Sequence, residues 1–241
     1  DVKALEGNIS INNLTFTYGK EYQNVLTDLS IDIHKGETFA ILGRTGEGKT
    51  TLVNAILGDG KAEGEVILDG QNLYQNFKTM KSQIGLVPQF VNLRLNDKVN
   101  QTLMDIAQIK LDSKYYSKED MQKRIDDVME KVGVKNLENH LIRQLSGGQK
   151  KKVSVAAQLV GFQKVFICDE PDSGLDAASR VQQMEILKEI SNNGKIVMVI
   201  SHEPDDAVNT ATNEILFTKV IVLAKSSRDN AGHLAFFGNP Y

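Results

Sequence analysis

Cysteine occurs once in the 241 residues, as Cys168. A single thiol excludes an intramolecular disulfide framework and suits a reducing compartment, with the cytoplasm as the default. Its apolar neighbours Phe166 and Ile167 make it an inert buried side chain. Long apolar runs are also missing: no stretch approaches the ~20 residues needed to cross a bilayer, and the opening Asp1-Val2-Lys3-Ala4 has no signal-peptide core. Any membrane is therefore expected to be spanned by another segment or subunit. The missing initiator Met is expected of a piece of a longer polypeptide or of a processed product. Nor is there an excess of one charge: 28 Lys and Arg against 31 Asp and Glu leave a net charge of -3. Without a global positive field nucleic acid is unfavoured as the main partner, and any anion site must be local. Internal repeats, low-complexity tracts and linkers are absent too, so residues 1–241 read as one compact domain of two or three lobes.

What is present is a core-forming composition, 41% hydrophobic, in three textures. From Gly7 to Gly36 apolar residues alternate, as at Ile9 and Ile11 and again at Ile31 and Ile33. Glu65-Val66-Ile67-Leu68 ends at the turn signal Asp69-Gly70, and these stretches predict an N-terminal antiparallel sheet. Three runs are continuous instead: Thr38–Leu42, Lys164–Cys168 and Lys195–Ile200. Continuous runs predict parallel strands covered by helices on both faces, with ligands beyond their carboxyl ends. Between roughly Leu93 and Gln144 the chain is charged and helical, with Met121, Ile125, Val128, Met129 and Val132 on one face, which predicts an inserted helical subdomain.

The first continuous run leads into Gly43-Arg44-Thr45-Gly46-Glu47-Gly48-Lys49-Thr50, followed by the helix-like Thr51–Leu57. Strand, glycine-rich loop, Lys-Thr and helix make a phosphate-binding loop. Its glycines let backbone N–H groups turn towards the phosphates, and the helix N-terminus adds the positive end of its dipole. Lys49 is placed to reach the β and γ phosphates and the Thr50 hydroxyl to ligate Mg²⁺. The loop alone does not separate a kinase, a GTPase and a motor. Asp169-Glu170 ends the second run, putting two carboxylates at a strand end that faces the loop: Asp169 to hold the metal through its water shell, Glu170 to polarise an attacking water.

Leu145-Ser146-Gly147-Gly148-Gln149, lying between the loop and the acidic strand, resembles the signature of the ABC ATPases. A serine and two glycines at a helix start present a hydroxyl and N–H groups to an anion. The likeness extends over nearly the whole chain and implies a P-loop NTPase α/β core with a mostly parallel sheet, an N-terminal antiparallel β subdomain and an inserted helical subdomain. It implies that Tyr18 stacks on adenine, that Gln89 touches the metal and the attacking water, that Asp176 in Ser173-Gly174-Leu175-Asp176 contacts a second subunit, and that His202 senses the γ-phosphate. ATP and Mg²⁺ are the implied ligands, with Gly43 to Thr51 around the phosphates, Ser146 to Gln149 and Asp176 across the interface, and Thr50, Gln89 and Asp169 at the metal. Two departures stand out: Asp172 where many relatives carry Thr, and Lys150-Lys151-Lys152, a lysine run that reads as a solvated helix face.

In this family the loop and the signature cannot meet within one domain, so the resemblance implies a head-to-tail pair of nucleotide-binding domains. ATP closes the pair, hydrolysis reopens it, and a transmembrane domain in the same or a separate chain receives the motion on the cytoplasmic side of the membrane. Val99–Leu103, Glu170–Asp176 and the ending Gly232–Gly238 resemble the White-type (ABCG) half-transporters, although several importer ATPases end similarly. The alternative is a soluble ABC ATPase acting on DNA or ribosomes; such proteins usually carry tandem cassettes or a coiled-coil insertion, neither of which occurs here. No Asn-Lys-x-Asp motif supports a GTPase.

Overall fold

A computed structural model describes residues 8–18, 23–58, 61–89, 92–201, 208–209 and 214–240. The alternating isoleucines set its first pairing. Strands β1 (Ile9–Tyr18) and β2 (Gln23–Ile33) run antiparallel with Ile9 opposite Ile33 and Ile11 opposite Ile31, all four buried. Strand β4 (Lys61–Leu68) pairs with the other edge of β1, and the short β5 (Gln71–Asn72) follows it through Asp69 and Gly70. Both turn residues have positive φ, 53° and 74°, which matches the right-handed twist of a tight hairpin.

The continuous runs form the parallel half. Strand β3 (Thr38–Leu42) lies beside β8 (Ile196–Ile200), then β7 (Val165–Asp169) and β6 (Ile84–Val87). Strand β11 (Lys219–Lys225) flanks β3 in parallel, and β12 (Gly232–Gly238) returns antiparallel beside it to touch β2. Among the described residues the result is one ten-stranded sheet in the order β5-β4-β1-β2-β12-β11-β3-β8-β7-β6, with β9 (Val208–Asn209) and β10 (Glu214–Ile215) as a separate pair. Successive residues of the central strands enter different cores. Phe166, Cys168, Val197 and Val199 join the cluster that holds the helical lobe; Val165, Ile167, Met198 and Ile200 join the cluster under helix α1 (Lys49–Ile56). Burial on both faces is why these runs are apolar throughout. The Cys168 thiol is fully buried there, and desolvation pushes its pKa up to about 12, so it stays protonated.

The short α2 (Phe77–Met80) precedes β6. The helical segment contains α3 (Val99–Lys110) and α4 (Lys118–Lys131), and α5 (Gly147–Leu159) packs against both. Helix α4 starts at a reciprocal capping box between Ser117 and Asp120, and its face of Met121, Ile125, Val128 and Met129, continued by Val132, is buried. Helix α6 (Ala177–Asn192) links β7 to β8. Among the described residues no helix is long and apolar enough to cross a membrane.

Candidate active site

Strand β3 delivers its end into the loop 43–48, and the loop delivers α1. Gly48 has φ 99°, and a Cβ there would come 2.7 Å from Leu26 Cδ2, so conformation and space both require glycine. Helix α1 has no side-chain cap and no acidic residue in its first turn, which leaves its N–H groups and dipole free of an internal carboxylate. Lys49 is buried at 6% exposure, and its Nζ donates to the carbonyls of Gly43 at 2.5 Å and Arg44 at 3.1 Å, folding back over its own loop. Burial lowers its pKa, against the opposing pull of Glu170, Glu47 and Asp169. On the back of the loop the Glu47 carboxylate accepts the Arg44 N–H, and the Glu47 N–H donates to the Arg44 carbonyl at 3.2 Å. Strand β12 buttresses this turn: a Cβ on Gly232 would lie 2.3 Å from the Glu47 carbonyl oxygen.

A cavity of about 300 Å³ opens above the loop, lined by Thr45, Gly46, Gly48, Lys49, Thr50 and Thr51 on one side and by Asp169 and Glu170 on the other, with Val25 and Ile200 completing the wall. Asp169 and Glu170 arrive at the end of β7, as the strand-end argument requires. Glu170 adopts φ 44°, a left-handed conformation unusual for a residue with a Cβ, and its N–H donates to the Ile200 carbonyl at 3.0 Å. Gln89, just past β6, donates through Nε2 to Glu170 Oε2 at 2.5 Å. Three separate strand ends thus converge on one residue, Glu170. Among the described residues no three His, Cys, Asp or Glu side chains could hold a metal by themselves. Thr50, Asp169 and Gln89 offer a hydroxyl, a carboxylate and an amide, an oxygen set that suits Mg²⁺ only when phosphates and waters fill the remaining positions.

The signature lies outside this cavity: no residue of 146–149 lines it. Ser146 instead caps α5, its side chain accepting the Gln149 N–H at 3.2 Å while Gln149 Oε1 accepts the Ser146 N–H at 2.9 Å. Gly147 and Gly148 occupy the first helical turn, and among the described residues nothing stands within 4 Å of where a Gly147 Cβ would be. Asp176 caps α6 by accepting the Ser179 N–H at 2.9 Å and the Ser179 hydroxyl at 2.8 Å, bonds that hold its pKa below the usual carboxylate range. His202 lies outside the described residues, as does the side chain of Tyr18, which ends β1.

Two of the three lysines of the run are tied into the fold rather than standing on a solvated face. Lys151 Nζ donates to the Glu170 carbonyl at 2.9 Å and the Ser173 carbonyl at 2.7 Å, and Lys152 Nζ donates to Gln182 Oε1 at 2.7 Å on α6. A helix carries side chains on every side, and here the adjacent turn and α6 cover the side that a charge-pattern argument assigns to water. Val25, Gly232 and Lys151 are among the site residues that sequence reasoning misses. Of these only Lys151 carried a signal, its departure from the family pattern.

Comparison with known proteins agrees with the geometry. A family model described as ABC transporter matches residues 26–173. The energy-coupling factor transporter ATP-binding protein EcfA1 of Mycoplasmopsis pulmonis is 36% identical over 203 residues, covering 83% of this chain and 76% of that protein. A putative ABC transporter ATP-binding protein of Clostridium tetani is 30% identical over 232 residues, and there the chain spans only 50% of the relative's length. Among solved structures, CbiO1 of Clostridium perfringens, described as part of the ABC transporter complex CbiONQ, superposes with a TM-score of 0.83 at 27% identity, covering 96% of this chain and 88% of that one. A dimeric bacterial ABC transporter cassette gives 0.78 at 26% identity, covering 97% and 99%. The chain belongs to the ABC transporter family of ATP-binding proteins.

Proposed function

We propose that the chain binds and hydrolyses ATP as the nucleotide-binding engine of a membrane transporter, working as a head-to-tail pair. The observation that carries this is the split between the two anion-binding elements: the cavity joins the phosphate loop to Asp169 and Glu170 but excludes Ser146 to Gln149. A nucleotide in that cavity meets a signature only if a second subunit brings one. The solved dimeric cassette of the same fold supports pairing, and the relatives named as transporter ATP-binding proteins support transport.

In this reading Lys49 leaves the carbonyls of Gly43 and Arg44 to meet the β and γ phosphates, with the N–H groups of the loop and of α1 around them. Thr50, Asp169 and Gln89 would hold Mg²⁺, which when bound would supply neutralisation of phosphate charge. Glu170 orients and polarises the attacking water, and Gln89 fixes the rotamer of that carboxylate through their hydrogen bond. His202 contacts the γ-phosphate and Tyr18 stacks on adenine. Ser146, Gly147, Gly148 and Gln149 close on the partner's γ-phosphate once their mutual capping opens, with Asp176 at the same interface. The chain then sits on the cytoplasmic side of the membrane, beside a transmembrane domain that selects the substrate, and Gln89, between core and helical lobe, passes the closure on.

The test is the solution mass of Glu170→Gln with and without Mg-ATP, beside the same variant carrying Ser146→Arg. Conversion of monomer to dimer by ATP, blocked by the Ser146 change, is the expected result. ATP binding without a change in mass in either protein would remove the support for the composite site.

A further inference from the structure

The two departures from the family pattern, Asp172 and the lysine run, meet in space. Asp172 is buried at 8% exposure with its Oδ1 lacking a hydrogen-bond partner among the described residues, and its carboxylate lies close enough to raise the proton affinity of Lys151 against the effect of burial. Lys151 lies in the second turn of α5, the helix that Ser146 caps, and its ammonium spans the Glu170 and Ser173 carbonyls. The Glu170 carbonyl also accepts the Ser173 N–H at 3.1 Å, so the turn closes on itself and Lys151 clamps it from outside. Gly148 on the same helix lies beside Leu175 just past that turn, where a Cβ would stand 3.3 Å from Leu175 Cδ2. The clamped turn is the one in which Glu170 holds its unusual φ of 44°. A strained backbone persists only where its surroundings over-determine it. From outside its own turn Glu170 is supported by the Ile200 carbonyl on its N–H and by Lys151 on its carbonyl.

We propose that Lys151 is a positioning residue for hydrolysis: from the signature helix it holds the 170–173 turn so that the Glu170 carboxylate faces the nucleotide cavity. This rests on the role of Glu170 given above. An ammonium suits the task because its three donors can bridge two carbonyls while its charge offsets the buried Asp172. Guanidinium retains charge and paired donors; a thioether retains neither.

The experiment compares the full chain with Lys151→Met, Lys151→Gln and Lys151→Arg by amide hydrogen exchange of the 169–175 segment and by kcat and KM for Mg-ATP. In the Met and Gln variants exchange at Ser173 rises about tenfold or more, the scale of a lost charge-assisted hydrogen bond. Their kcat falls by about 10- to 100-fold, the effect of misplacing a reacting group by about 1 Å, with KM within about twofold of wild type. Lys151→Arg recovers most of the rate. The Gln variant carries the same reading if the Met variant does not fold. Wild-type exchange, wild-type kcat, a rise in KM that accounts for the loss, or an Arg variant as impaired as the Met variant each overturns the proposal. Lys151→Met added to Glu170→Gln still dimerises with Mg-ATP, because loop and signature are intact. If Glu170→Gln alone never dimerises, the head-to-tail reading fails while the exchange and rate comparisons still decide the role of Lys151.

Discussion

Lys110 holds its ammonium inside the helical lobe, donating to the Ala157 carbonyl at 3.0 Å and to Gln158 Oε1 at 2.6 Å, and desolvation lowers its pKa from 10.5 to about 8. Below about pH 8 folded and unfolded chains both carry the proton, and the burial cost is present in full. Between about 8 and 10.5 the unfolded chain binds more protons than the folded one, so stability rises with pH through that window. Urea unfolding of wild type and Lys110→Met should therefore give a difference that is flat up to pH 8. Above it, wild type gains by at most ~1.4 kcal/mol per pH unit. A difference independent of pH from 7 to 10 would show that Lys110 titrates as an exposed lysine. Its partners could not be read from the sequence, because periodicity assigns a residue to a helix face and leaves the neighbouring helix unspecified. The places of Lys49 and Gly48 were legible for the opposite reason: they follow from a loop whose strand, turn and helix are contiguous in the chain. Lys151 was misread because its two acceptors are backbone carbonyls on a turn about twenty residues away, which leave no mark in composition.

Helix α5 has its two ends treated differently. Its N-terminus holds the Ser146–Gln149 box and two glycines. Its C-terminal carbonyls face two cations: Lys110 on Ala157, and Arg124, whose Nη2 donates to Leu159 at 2.6 Å and to Gly161 at 3.3 Å while its guanidinium lies 5.2 Å from the Phe162 ring centroid. Cations at that end complement the macrodipole and anchor the helix, leaving the signature end to be presented. Arg124→Ala removes charge-assisted bonds from a half-buried group and should lower the unfolding free energy by about 1–3 kcal/mol. The observable is a lower urea midpoint at unchanged slope, whereas an unchanged midpoint would mean that water replaces the guanidinium without loss. At this scale sequence reasoning works where the pattern is strong. The runs at 38–42, 164–168 and 195–200 are strands within a residue of their expected limits, and the apolar face of α4 is buried as its spacing requires. The place of β12 between β2 and β11 was not legible, since strand order depends on how the chain returns to the sheet after the helical lobe.

Across the whole molecule the decisive property of the proposed pairing is that one chain carries half of each of two sites. Lys49 lies in the cavity and Ser146 does not. In a symmetric head-to-tail pair each site then takes its loop from one subunit and its signature from the other. Lys49→Ala and Ser146→Arg are each expected to abolish hydrolysis alone, because every site of either homodimer contains the defect. Mixed in equal amounts they can pair with each other, and such a pair has one site bearing both defects and one site bearing neither. Random exchange makes about half of the dimers mixed, each with one of two sites intact, so the mixture should recover up to about a quarter of the wild-type rate. The measurement is phosphate release as one variant is titrated into the other at constant total protein, and activity should peak near equal proportions. A site completed within a single chain predicts no recovery at any ratio. The same titration with Lys49→Ala and Glu170→Gln distinguishes composite sites from simple subunit exchange. Both of those residues serve the same cavity, so a mixed pair keeps one defect in each site and should remain inactive.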